Sequence, residues 1–313
     1  MKLVTFTAPD SKGDRIGLLE GEEVVDLTTS AAMLNLPFPA SMLALIASGD
    51  GEQQVAEIVD AADDSVVWLA LAEATLRPPI PRPGKIVGVG LNYVEHVDES
   101  SRTLDTDKEL PERPVLFDKP ATAVVATEGE ILHDGRLTAQ LDWEVELAVV
   151  IGRTARGVAA ADALDHVFGY SIVNDISARD QRRSGQWFFS KGQDTYAPFG
   201  PLLVTAAELG DPHDVNLRLR VNGQTKQDSN TRHMLFKIPQ LIADISSGMT
   251  LEPGDVIATG SPAGVGAGMV PQQFLQPGDT VEAEVDGIGL LRNFVVDATS
   301  RSEATPNEAV AAT

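Results

Sequence analysis

Two hydrophobic rhythms divide this chain of 313 residues. Up to residue 76 the apolar positions come in short runs, Lys2 to Phe6, Ile16 to Glu20 and Val24 to Leu27, which predict strands. Stretches around Ser41 to Ala47 and Gln53 to Ala62 carry the wider spacing of helices. Arg77-Pro-Pro-Ile-Pro-Arg-Pro-Gly84 then places four prolines in eight residues. Proline fixes φ, lacks an N–H donor and pushes its predecessor into extended space, so a stiff connector and a domain boundary are expected there. Beyond it, strand patterns dominate: Ile86 to Val89, Trp143 to Ile151, Tyr170 to Val173, Val215 to Val221, Val256 to Thr259, Thr280 to Val285 and Gly289 to Val295. Asn222-Gly223 between two such runs predicts a tight type I′ hairpin, whose central residues both need positive φ. Ile238 to Ser247 is the best helix of this half. The expected fold class is α+β and β-rich: a small N-terminal α/β domain over 1–76, the linker 77–84, a mixed-sheet domain over 85–298, and a polar, disordered tail over 299–313.

Composition narrows the chemistry. There is no cysteine, which excludes disulfides, thiol catalysis and thiolate metal sites, so oxygen ligands and histidine must do the work. The net charge of −22 is spread along the chain and argues against a nucleic-acid partner, which would need positive charge. Met1-Lys-Leu-Val-Thr-Phe6 lacks the features of a signal peptide and no apolar run approaches bilayer length, so no membrane association and a cytoplasmic location are expected. An anionic substrate would be repelled by the general field. Local cations such as Lys191, Arg179 and Arg183 would then have to overcome it.

The most informative segment is Asp142-Trp-Glu-Val-Glu-Leu147, running into Ala-Val-Val-Ile151. Side chains two apart share a strand face, so Glu144 and Glu146 point one way and Trp143, Val145 and Leu147 the other. Two buried like charges need neutralising, and a divalent cation would do it. Taken alone, Glu-x-Glu is more often a solvated strand face. Asp175, at the end of Gly169-Tyr-Ser-Ile-Val-Asn-Asp175, offers the third oxygen ligand that a hard ion such as Mg²⁺ prefers. Asp142 and Asp180 read as ordinary surface charge, Asp180 pairing with Arg179 or Arg182. His96 and Glu99 lie three apart, a spacing that lets a carboxylate orient an imidazole on one helical turn, though most such pairs are surface contacts. Ser100 to Arg113 reads as a long exposed loop.

The order of motifs resembles the fumarylacetoacetate hydrolase family over residues 84 to 295. Gly88-Val-Gly-Leu-Asn-Tyr93 with His96-Val-Asp-Glu99, Phe117-Asp-Lys-Pro120, Asp142-Trp-Glu-Val-Glu-Leu147 and Asn174-Asp-Ile-Ser-Ala-Arg-Asp180 are followed by Lys191-Gly-Gln-Asp194, Pro198-Phe-Gly-Pro201, Val221-Asn-Gly223 and Gly254 to Gly266. Each is weak alone; the ordered set is specific. The resemblance implies a coiled, mixed β-sheet roll with Glu144, Glu146 and Asp175 as metal ligands, Mg²⁺ as the cofactor and Mn²⁺ or Ca²⁺ as alternatives. It further implies catalytic roles for His96, Glu99 and Lys191, a lid over Ser100 to Arg113, and a homodimer. Thr259 is implied beside the substrate, with Tyr93, Arg179 and Gly260 as further substrate-binding candidates and Tyr170, Trp187 and Phe189 as pocket walls. The activity implied first is hydrolysis of a C–C bond in a 2,4-dioxo acid, an acylpyruvate or a diketo-deoxy sugar acid, releasing pyruvate. Isomerisation of a hydroxymuconate-type dienoate or decarboxylation of a 3-oxo diacid stands second, and a non-catalytic metal-binding protein third.

Overall fold

The computed structural model describes residues 1–9, 11, 13–61, 65–95 and 110–301. The strands of the first half are Lys2–Thr7 (β1), Arg15–Glu20 (β2), Glu23–Asp26 (β3), Trp68–Ala70 (β4), Thr75–Arg77 (β5), Ile86–Gly90 (β6), Val115–Lys119 (β7), Val124–Val125 (β8), Glu130–His133 (β9) and Leu141–Asp142 (β10). Those of the second half are Val145–Ile151 (β11), Val167–Asn174 (β12), Ser177–Ala178 (β13), Ala197–Thr205 (β14), Asn216–Val221 (β15), Gln224–Asn230 (β16), Val256–Ala258 (β17), Thr280–Val285 (β18) and Gly289–Asp297 (β19). With only short helices between them, this is a mixed, sheet-rich α+β fold. No helix among the described residues is long and apolar enough to cross a membrane.

One twelve-stranded sheet has the order β4-β3-β2-β1-β14-β12-β11-β17-β6-β7, with β5 on β1 and β8 on β14. A five-stranded sheet, β16-β15-β18-β19-β9, lies beside it. Residues before the proline connector continue the large sheet, because β1 pairs antiparallel with β14 through Lys2↔Val204 and Leu3↔Leu203. At the centre, β11 is buried along its whole length, so it shows an unbroken apolar run rather than a half-polar alternation. Its two faces enter two different cores. Val145, Leu147, Val149 and Ile151 pack with Leu217, Leu219, Val281 and Ala283 of the smaller sheet, whereas Ala148 and Val150 pack with Ile86, Phe199 and the N-terminal helix residues Leu45 and Ile46.

Several local expectations hold. Asn222 and Gly223 have φ of 51° and 74° and join β15 to β16 in a two-residue turn flanked by the Val221↔Gln224 pair. Helices run from Met42 to Ser48, Gly51 to Asp60 and Ile238 to Gly248. The third strand stops at Asp26, before Leu27, because the Asp26 carboxylate caps a helix from Leu27 to Met33 by accepting the Thr29 N–H. The pattern misses β14, whose Pro198, Gly200 and Pro201 argue locally against a strand. Gly200 and Pro201 are accommodated because the β12–β14 register shifts between Tyr170 and Ile172, opposite Gly200 to Val204.

Candidate active site

Strand register assembles the acids. Val145 pairs with Asn174 across β11 and β12, the Glu144 N–H donates to Asn174 Oδ1 at 3.0 Å, and the Asp175 N–H donates to the Glu144 carbonyl at 2.8 Å. Glu144 and Glu146 share a face, as the two-residue period requires. Glu144, Glu146 and Asp175 bring one oxygen each within 4.8 Å of one another, and all three are buried. Their register partners belong to neighbouring strand ends, so the cluster is fixed by backbone hydrogen bonds rather than by flexible loops.

Three cations answer these charges. Lys191, at the end of the single turn Phe188–Lys191, donates from Nζ to Asp175 Oδ2 at 2.5 Å, Glu144 Oε2 at 2.8 Å and Ser177 Oγ at 2.8 Å. Lys119, on β7, donates to Asp175 Oδ1 at 2.5 Å and to the main-chain carbonyl of Lys191. Arg179 spans Asp142 Oδ2 at 2.8 Å and Glu144 Oε1 at 2.6 Å. The two lysines shift in opposite directions. Burial pulls both down, but Lys191 lies against Asp175 and Glu144 together and ends raised, while Lys119 has one direct carboxylate partner and faces Lys191, and ends lowered.

Glu146 is the exception among the acids. Burial, then the charges of Asp175 and Glu144, push its carboxyl well above its ordinary value. Among the described residues its hydrogen bond comes from the Gly260 N–H at 2.9 Å. A buried carboxylate crowded by two others and given one neutral donor is the position a hard divalent cation completes. The charge balance agrees: with Asp142, Glu144, Glu146 and Asp175 ionised against Lys119, Arg179 and Lys191, one negative charge is left, and a divalent ion would make the site net positive, as an anionic substrate requires. The residues fit a metal.

The structure corrects the reading of Asp142 as surface charge. It is fully buried and accepts from the N–H groups of Trp143, Gly266 and Ala267 at 2.8, 2.7 and 3.0 Å as well as from Arg179. Apart from the adjacent Trp143, its partners lie 37 to 125 residues away in sequence, so no local pattern reveals them. Nor does Asp180 pair with Arg179; its carboxylate accepts from Thr138 Oγ1 and the Ala139 N–H. Thr259 is buried and donates its hydroxyl to the Leu147 carbonyl at 2.8 Å, so that proton is committed to the sheet. Gly260, at φ +99°, supplies its N–H to Glu146, and a Cβ there would lie 2.6 Å from the Asn92 Cβ. Tyr93 is buried at a bridge to Met234, and its hydroxyl has no hydrogen-bond partner among the described residues. Burial and the nearby Glu146 charge keep that phenol protonated. His96, Glu99 and most of the Ser100 to Arg113 loop lie outside the described residues.

Sequence reasoning gave no role to Lys119, although it sits in the Phe117-Asp-Lys-Pro120 motif. Asn92 was likewise passed over: its side chain accepts from the Phe236 N–H and donates to the carbonyls of Phe236 and Thr259, tying the end of β6 to the end of β17. An asparagine just after the glycine-rich run Gly88-Val-Gly90 was the available signal.

Carboxylates on paired strand ends, answered by buried cations and close enough to share one ion, define a class of metal-dependent enzyme, and comparison places this chain in it. The profile described as Fumarylacetoacetate (FAA) hydrolase C-terminal matches residues 85–296, and the chain belongs to that family. It is 40% identical over 288 residues to the oxaloacetate tautomerase YisK of Bacillus subtilis, covering 89% of this chain and 94% of that one. Among solved structures it resembles a fumarylacetoacetate hydrolase from Exiguobacterium antarcticum, with a TM-score of 0.79 and 37% identity over 95% of this chain and 99% of the other. Maleylpyruvate hydrolase from Sphingobium sp. SYK-6, in complex with manganese(II) and pyruvate, superposes with a TM-score of 0.76 and 31% identity over 95% and 99% of the two chains. The protein is therefore an enzyme of a metal-dependent family whose members include hydrolases, isomerases and tautomerases.

Proposed function

We propose that this enzyme interconverts the keto and enol forms of a 2-oxo acid of the oxaloacetate type, with Mg²⁺ as its working ion. The observation that carries the reading is the carboxylate triad with a protonated, buried lysine against it, in a chain 40% identical to an oxaloacetate tautomerase over nearly its whole length. An ion held by Glu144, Glu146 and Asp175 would polarise the 2-oxo carbonyl and acidify the neighbouring C–H. Lys191 holds positive charge where negative charge develops on the substrate, among buried partners. Its three hydrogen bonds fix it before the reaction begins, so little reorganisation is needed. The expected pair of His96 and Glu99 is assigned the proton transfer at carbon, a step suited to an imidazole.

Enolisation is the step that hydrolysis, isomerisation and decarboxylation of such acids have in common. Hydrolysis of a 2,4-dioxo acid stands as the second reading, favoured by the likeness to maleylpyruvate hydrolase. The test follows the approach of oxaloacetate to its keto–enol equilibrium by ultraviolet absorbance, with Mg²⁺, with excess EDTA and with Glu146→Ala. Acceleration that needs both the ion and Glu146 supports the tautomerase. Pyruvate release from acylpyruvates, with no effect on that equilibrium, moves the assignment to the hydrolase.

A further inference from the structure

We propose that Arg182 and the face of Trp187 form the subsite that reads the far carboxylate of a dicarboxylic 2-oxo acid, an inference that rests on the enolisation reading above. Two glycines contact neither the carboxylates nor the cations but seat two aromatic rings. Gly88 and Gly90 are two apart on β6 and so share a face. A Cβ on Gly88 would lie 2.1 Å from the Phe117 ring, and one on Gly90 2.1 Å from the Trp187 ring. Both rings therefore lie directly on bare backbone. They meet edge to face, with centroids 5.4 Å apart and planes at 60°. The result is a fixed aromatic shelf.

The shelf lies at the lip of the site. Lys191 Nζ is 4.9 Å from the Phe117 centroid and 5.9 Å from that of Trp187, yet the lysine is buried while both rings remain partly exposed. On the indole sits a second cation, with Arg182 Cζ 5.1 Å from the Trp187 centroid. The Trp187 ring thus has within 6 Å of its centroid both the Arg182 guanidinium and the ammonium that touches Glu144 and Asp175.

This arrangement selects a substrate. The carboxylate and oxo group of a 2-oxo acid belong at the triad and Lys191, so the rest of a short chain must leave over the rings. An alkyl end would be satisfied by the aromatic faces alone. A carboxylate end would be repelled by them and by the net charge of −22, and needs a cation at that edge. Arginine presents a planar fork matched to two carboxylate oxygens, and its stacking on the indole holds that fork in place.

The test compares Mg²⁺-dependent C3–H exchange in deuterated water for oxaloacetate, a diacid, and 2-oxobutyrate, a monoacid. Arg182→Gln is expected to raise KM for the diacid about tenfold or more, the loss typical of a charge-assisted hydrogen bond, with kcat within about twofold. The diacid-to-monoacid ratio of kcat/KM should fall by the same factor, and Arg182→Lys should recover part of it. An unchanged ratio, or equal losses on both acids, overturns the proposal. Arg182→Met, which keeps the aliphatic stem on the indole, substitutes if the glutamine variant does not fold. Should the wild-type enzyme exchange neither acid, calorimetric titration decides: tighter binding of the diacid, lost in Arg182→Gln, retains the subsite and sinks the enolisation reading. Equal binding of both acids sinks the subsite.

Discussion

At Glu146 a functional requirement opposes stability. Its carboxyl is raised by burial and by Asp175 and Glu144, so without metal the folded chain holds this proton more tightly than the unfolded chain does. Below the ordinary value of 4.5 the group is protonated in both states and costs nothing; above it the unfolded chain ionises first, and the penalty grows until the folded group ionises too. Glu146→Gln is therefore expected to stabilise the metal-free protein at neutral pH by about 1–3 kcal/mol, to remove that part of the pH dependence, and to abolish the rise in Tm on adding Mg²⁺. Thermal melts of both proteins, with EDTA and with Mg²⁺, check it. Asp142 is the converse case, a buried carboxylate fully answered by three N–H groups and Arg179. Asp142→Asn should cost about 3–5 kcal/mol by breaking a buried pair. It should also weaken Mg²⁺ binding about 10- to 100-fold, because Arg179 then loses the partner that aims it at Glu144. Calorimetric titration with the metal separates the second effect from the first.

Among the elements, two glycines show how context sets the cost of one side chain. Gly223 has φ +74°, with open space where a Cβ would go. Gly223→Ala should cost about 1–2 kcal/mol for left-handed backbone alone and leave activity intact. Gly264, at φ +103°, would place its Cβ 2.1 Å from the Lys226 carbonyl, beside the carbonyl that receives the Trp143 indole N–H. Gly264→Ala should be far more damaging, with loss of both stability and turnover, and chemical denaturation of the two variants side by side tests the contrast. The same distinction governs what was legible. The hairpin at Asn222-Gly223 is a local backbone demand and was visible. The strand Ala197–Thr205 was not, because its Gly200-Pro201 step is tolerated by a register shift against the neighbouring strand, which a single segment cannot announce.

For the whole molecule, the field of −22 opposes an anionic substrate while the metal-loaded site attracts it. The general field reaches farther, and salt screens it first. KM for the diacid should accordingly fall severalfold as ionic strength rises from about 0.01 to 0.15 M, the reverse of an electrostatically steered enzyme. A KM that rises over this range would mean that local cations dominate the approach.

The chain's own pattern settled that Glu144 and Glu146 face together, that residues 85 to 298 are strand-rich and that Asn222-Gly223 turns. Each follows from the two-residue period of a strand or from the φ a residue tolerates, which neighbours in sequence decide. Only the tertiary structure decided that Asp175 and Lys191 meet those acids, that Lys119 joins them from 56 residues before Asp175, and that Asp142 is buried against a loop 124 residues on. Strand order and register bring such groups together, and their charges take on meaning only once burial has removed the water that would otherwise screen them.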